Sequence, residues 1–165
     1  MARRMVVADA GPLIIWARLG RLDLLRAVCG EVWVPKVTER EATNDPRRPG
    51  AAVILTAFTA ETLVRPSPKI EEADAKPFPT LGAGESAAIR LAIQMQCPVV
   101  MDEKRGRSIA KAQLVAVIGT LGILLSAKHQ GHIDRIKPLL AQLAQMNYFV
   151  SPVLHAAAMK ASGER

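Results

Sequence analysis

Met5-Val6-Val7-Ala8-Asp9-Ala10-Gly11-Pro12-Leu13-Ile14 decides how the rest of the chain is read. Four apolar residues, an acid, a turn and a proline predict a buried strand over 5–8. A helix follows with Pro12 in its first turn, and Asp9 stands at the joint. Gly20 closes that helix. The same hand-over recurs down the chain. Val32-Trp33-Val34 reads as a strand, and Pro35 opens a helix through Glu41. Gly82-Ala83-Gly84 leads to Glu85 in the first turn of a helix from Gly84 to Gln96, whose Ala87, Ala88, Leu91, Ala92 and Met95 share one face. Cys97 to Met101 reads as a strand that delivers Asp102, and a basic helix over 104–112 follows.

The remaining segments fit the same alternation. Leu22 to Val28 reads as a short helix closed by Gly30, 51–60 as a helix, and Thr62-Leu63-Val64 as a short strand. Asn44 to Gly50 is a breaker, and 65–80, with four prolines, reads as a long loop. Leu114 to Ile118 reads as a buried strand, with Thr120 capping a helix through Gln130. Ile136 to Met146 is a further helix, 148–150 is extended, and Ser151-Pro152 starts a last helix. Strands alternating with helices imply a three-layer α/β/α sandwich around a mostly parallel sheet. The expectation is one domain over 1–165, with a C-terminal helical extension from about residue 134.

Connectivity then brings distant acids together. Ligands of parallel α/β sheets bind outside the carboxyl ends of the strands. Asp9 ends its strand there. A helix between parallel strands starts near that edge, which carries Glu41 and Glu85 to it, and Asp102 ends its own strand beside them. Each acid also has an ordinary reading: Asp9 as a helix cap, Glu85 as a first-turn acid favoured by the helix dipole, Glu41 as an exposed helix residue, Asp102 as part of a charged loop. The joint placement is what points to a divalent cation. Oxygen donors select Mg²⁺ or Mn²⁺, and the three histidines, all at or after His129, stand away from the acids.

Half of the 165 residues are hydrophobic, with only two Trp, one Tyr and three Phe, so the core is aliphatic. The net charge is +7 and the pI about 9.9, which favours a polyanionic partner such as nucleic acid. Lys104, Arg105, Arg107 and Lys111 follow Asp102 directly as candidate phosphate contacts, with a solvated basic helix as the plain alternative. Cys29 and Cys97 make neither a disulfide framework nor a zinc site, and both read as buried thiols. No secretory signal and no bilayer-length apolar run is read, so the expected compartment is the cytoplasm, without a membrane.

At these residues the chain resembles PIN-domain proteins, in the branch of VapC-like toxins. The matching segments are 7–14, Gly20-Arg21-Leu22-Asp23-Leu24-Leu25, Val34-Pro35 leading to Glu41, 81–89, 101–107 and Gly119-Thr120-Leu121-Gly122-Ile123-Leu124. The resemblance implies an Mg²⁺- or Mn²⁺-dependent endoribonuclease acting as the toxin of a toxin–antitoxin pair, paired with a small antitoxin and commonly homodimeric. It carries the catalytic, metal-binding role to Asp9, Glu41, Glu85 and Asp102. Glu103 is a further metal candidate, because the relatives' tandem acids read Asp102-Glu103 here, and Thr120 falls on a recurring hydroxyl position. Many PIN domains place Ser or Thr soon after the first Asp, where this chain has Ala10 and Gly11. That departure supports a rival, a degenerate PIN-fold module that binds RNA or a protein without cutting. A receiver-like phosphoacceptor wants paired acids at the first strand end, and a haloacid-dehalogenase-type phosphatase wants Asp-x-Asp. Neither is present.

Overall fold

The computed structural model describes residues 3–72 and 76–165. In chain order the elements are β1 (Met5–Ala8), α1 (Ala10–Arg18), α2 (Leu22–Cys29), β2 (Glu31–Trp33), α3 (Lys36–Thr43), α4 (Ala51–Thr59), β3 (Leu63–Val64), α5 (Pro68–Glu72), α6 (Ala83–Met95), β4 (Val99–Val100), α7 (Lys104–Ala112), β5 (Val117–Ile118), α8 (Thr120–His129), α9 (Lys137–Gln145) and α10 (Pro152–Ser162). The sheet runs β3-β2-β1-β4-β5, and every pairing is parallel.

Alternation along the strands builds three layers. Val6, Ala8 and Val100 enter one core, with α1, α2 and α8 to α10. Val7, Val99 and Met101 enter the other, under α6 and α7. Successive strand side chains point to opposite faces, so a sheet buried on both sides reads as an unbroken apolar run. The C-terminal helices belong to the first core: Ile136 and Leu143 are fully buried, as are Ala158 and Met159 nearly so.

Four expectations are corrected. The stretch 65–80 is not all loop, since it contains α5, with 73–75 outside the described residues. The last strand covers only Val117–Ile118: Leu114 is 95% exposed and has a positive φ of 63°. Thr120 does not cap α8. Gly119 is the N-cap, and the Thr120 side chain goes elsewhere. Cys29 is buried, but Cys97 is only partly so.

The strand order fixes where a ligand site belongs. The chain builds β1, β2 and β3 in one direction, then returns to place β4 on the other side of β1. The crevice at such a reversal, outside the carboxyl ends, is where open α/β sheets bind ligands. Here it lies between the ends of β1 and β4.

Candidate active site

Asp9 follows β1 directly, and its amide donates to the Val100 carbonyl of β4 at 3.0 Å, which ties the two strand ends together. It occupies the N-cap of α1 but makes no side-chain capping bond. The ordinary reading of this acid as a cap therefore fails. The residue is only 6% exposed, and burial raises its pKa to about 6. The amide of Ala10 opposes that rise, while the charges of Glu41, Glu103 and Asp102 add to it. Residues far apart in the chain thus act on one carboxylate.

Glu41 lies on α3 and is gripped by the start of α6. Its Oε1 accepts from the Gly84 amide at 3.0 Å, and the buried Thr38 hydroxyl, one turn earlier, donates to the Gly84 carbonyl at 3.3 Å. A Cβ on Gly84 would overlap the Glu41 carboxylate, so only glycine lets the helices close this far. Its neighbour Glu39 turns away and is neutralised by Arg65 at 2.7 Å.

Glu85, in the first turn of α6, is less well provided for. Its Oε2 is buried and has no hydrogen-bond donor in reach. Burial, then the facing carboxylate of Glu103, then Asp9, push its pKa up to about 7 against the Gly82 amide. Two carboxylates can face each other only around a shared proton or a cation. On the other side, a Cβ on Gly106 of α7 would stand 3.1 Å from Glu85 Oε2 and 2.5 Å from Met101 Sδ. The Gly106 position keeps this space open.

Asp102 is the best-held acid of the group. Its Oδ1 accepts from the Thr120 amide at 2.8 Å and its Oδ2 from the Thr120 hydroxyl at 2.6 Å. Those donors belong to the first residue of α8, where the helix dipole favours an anion. The Tyr148 phenol also reaches Asp102 and Thr120, and burial followed by the Asp102 charge pushes its pKa up. Sequence reasoning missed Tyr148, because nothing local ties an extended segment after α9 to the end of β4. Its being the one tyrosine of the chain was the only available signal.

The charges of these acids therefore act on one another near the switch point. Among the described residues, however, no three or more Asp, Glu, His or Cys are gathered into a ready-made metal cage. The donor set is oxygen only, a buried Glu85 oxygen lacks a donor, and the pKa values of Asp9 and Glu85 are raised by burial and by the neighbouring acids. These residues fit a hard divalent cation.

The basic residues divide. Arg105 reaches back to the Thr80 carbonyl at 3.4 Å. Lys104, Arg107 and Lys111 line a separate cavity of about 1270 Å³ that shares Asp102 with the acid cluster. Arg107 also donates to the Met101 carbonyl at 3.1 Å. This cavity is thus beside the acids and not over them.

A family model described as a PIN domain matches residues 5–164. No curated protein and no solved structure matches the chain.

Proposed function

We propose, from the premise that this chain belongs to the PIN-domain family, that it is a divalent-metal-dependent endoribonuclease. PIN domains are generally nucleases, and the metal dependence and the RNA substrate are our reading. The observation that supports it is that the charges of Glu41, Asp102 and Glu103 act on Asp9, and those of Glu103 and Asp9 on Glu85, with a Glu85 oxygen buried and undonated.

In this reading those five acids hold Mg²⁺ or Mn²⁺, with Glu103 joining through its pairing with Glu85. A bound divalent cation supplies acidification of water and neutralises charge on the phosphoryl oxygens. The chain's own residues do the rest. Thr120 fixes Asp102 through both oxygens, and the Gly84 amide fixes Glu41. Asp9 and Glu85 would have to be deprotonated to hold the cation, so its affinity would rise with pH through about 6 to 7. Lys104, Arg105, Arg107 and Lys111 contact backbone phosphates and set the strand's register. Water adds to the scissile phosphorus and gives up a proton, the bond to the departing nucleotide oxygen breaks, and that oxygen takes up a proton, so the net change is the addition of one water across the bond.

A toxin role belongs to the same reading: a small antitoxin that fills the acidic pocket with a basic residue, and a homodimer. The compartment in this reading is the cytoplasm. Among the described residues no helix is long and apolar enough to cross a membrane.

Incubating the chain with labelled RNA and Mn²⁺, beside a chelator control and Asp9→Asn, tests the proposal. Mn²⁺-dependent cutting that the variant lacks is the expected result. RNA that stays intact under all three conditions, while still being bound, would replace the nuclease with the non-cleaving RNA-binding module.

A further inference from the structure

The cavity beside the acid cluster runs the whole length of the sheet's β5 edge. At one end stand Asp102, Gly119 and Tyr148, outside the carboxyl ends of the strands. At the other stand Arg3 and Arg4, ahead of β1, and Gln96 to Pro98, ahead of β4. Its floor is the outermost strand, Val117 and Ile118, both only half-buried.

Its walls differ in chemistry. Lys104, Arg107, Ser108 and Lys111 form one wall, and their spacing along α7 is that of a single helix face. The opposite wall carries Leu121 and Ser126 of α8, then Phe149 and Leu154 from the C-terminal segment. Phe149 is 84% exposed and Leu154 53% exposed. Five cations line the groove against one acid, Asp102, which is committed to Thr120; Arg3 pairs with Glu31, which leaves Arg4, Lys104, Arg107 and Lys111 to set the charge of the lining. A lining so unbalanced in charge complements an anionic chain. An exposed aromatic ring beside it is the platform on which an unpaired base stacks, and a base held inside a duplex has no free face to offer.

We infer that the β5-edge groove is the track for single-stranded RNA leading to the acid cluster past Asp102. Lys104, Arg107 and Lys111 take the phosphates, and Phe149 takes a base. The track rests on the nuclease reading for its direction but not for its existence. It also explains why Lys104, Arg107 and Lys111 share a face that Arg105 does not.

The test uses the full chain carrying Asp9→Asn, in chelator, so that nothing is cut. The probe is a fluorescent oligouridylate of about twelve nucleotides, within the range of single-strand sites, followed by anisotropy across a salt series. Adding Lys104→Ala and Lys111→Ala should weaken binding and flatten the salt slope by about 0.7 per lysine. Adding Phe149→Ala should weaken it by about 5- to 100-fold with the slope kept. Photo-crosslinking of a 4-thiouridine version to the parent should mark the peptides containing Phe149 and α7, whatever the variants' folding. Unchanged affinity in both variants, or crosslinks confined to other elements, would overturn the track. So would a Phe149→Ala variant that alters only the sedimenting mass, which would give this face to a second copy of the chain. A wild-type chain that cuts RNA while these variants bind like their parent leaves the nuclease standing and removes the track. A chain that binds in the groove and never cuts does the reverse.

Discussion

Two places in this molecule take carboxylates out of water, and they treat them in opposite ways. At the C-terminus, Glu164 is only 8% exposed, and burial alone would raise its pKa. The amides of Ile136 and Lys137 donate to it at 2.8 and 3.1 Å and Lys128 Nζ at 2.9 Å, and together they bring its pKa down to about 2. The start of α9 and a lysine of α8 thereby pin the end of the chain after α10. At the β1/β4 switch point, Asp9 and Glu85 have other acids for neighbours, and their pKa values climb to about 6 and about 7. The salt bridges of the described residues lie elsewhere, at Glu31, Asp23, Asp45, Glu39 and Glu164. A carboxylate that serves structure is given its cation by the chain. At the switch point, among the described residues, no salt bridge supplies one to the acids.

Asp9→Asn is the hardest blow to this contrast. Cleavage should fall by at least about 10²-fold, as for removal of one preorganised electrostatic group. The stability effect has the opposite sense. Because the folded pKa of Asp9 lies above its unfolded value, its protonated form favours folding below about pH 4. That contribution is lost as pH rises through about 6. In chelator the wild-type Tm should drop between about pH 4.5 and 7.5, with Asp9 accounting for about 3 kcal/mol. Asp9→Asn should flatten the profile. A wild-type Tm that climbs over that window would mean the acids are compensated after all.

Mn²⁺ sharpens the comparison by testing the proposed cation site directly. At a concentration one hundred times its Kd it should stabilise the fold by about 2.7 kcal/mol at neutral pH, and markedly less at pH 5, where protons compete. Thermal melts with and without chelator check this, and equal shifts at both pH values would count against binding through Asp9 and Glu85.

Thr120→Val keeps the side-chain shape and removes the donor to Asp102 Oδ2. Cleavage should fall by about 10- to 100-fold, the usual loss when a ligand's orienting partner goes, with about 1–3 kcal/mol of stability. If kcat is retained, the hydroxyl is only structural. Glu164→Gln should have the smallest effect on chemistry, which is none. Its folded pKa is depressed, so its contribution is present above about pH 4.5 and fades as pH falls towards 2. The variant should melt lower than wild type near neutrality and lose that deficit in acid, while cutting RNA at the wild-type rate.

Much of this was legible in the chain. The apolar quartet before Asp9, the proline behind it, and the repeated strand-to-helix hand-over dictate a parallel three-layer fold, because they are local patterns of period and breaker. Connectivity alone then sends Asp9, Glu41, Glu85 and Asp102 to one edge. What the residues did not disclose is how each is held. Thr120 looked like a cap and is a donor to Asp102, Glu103 was a further metal candidate and faces Glu85, and Gly84 read as the start of a helix and also makes room for Glu41.

The sequence by itself determined the layers, the edge on which the acids gather and the sign of the surrounding charge, since helix period, strand alternation and chain direction are properties of neighbours along the backbone. Only the tertiary structure decided which carboxylates are compensated and which are not, and which face of α7 turns towards the β5-edge groove. Those outcomes depend on distances between segments remote in the chain, where burial and a single donor at 2.6 Å outweigh anything local composition can express.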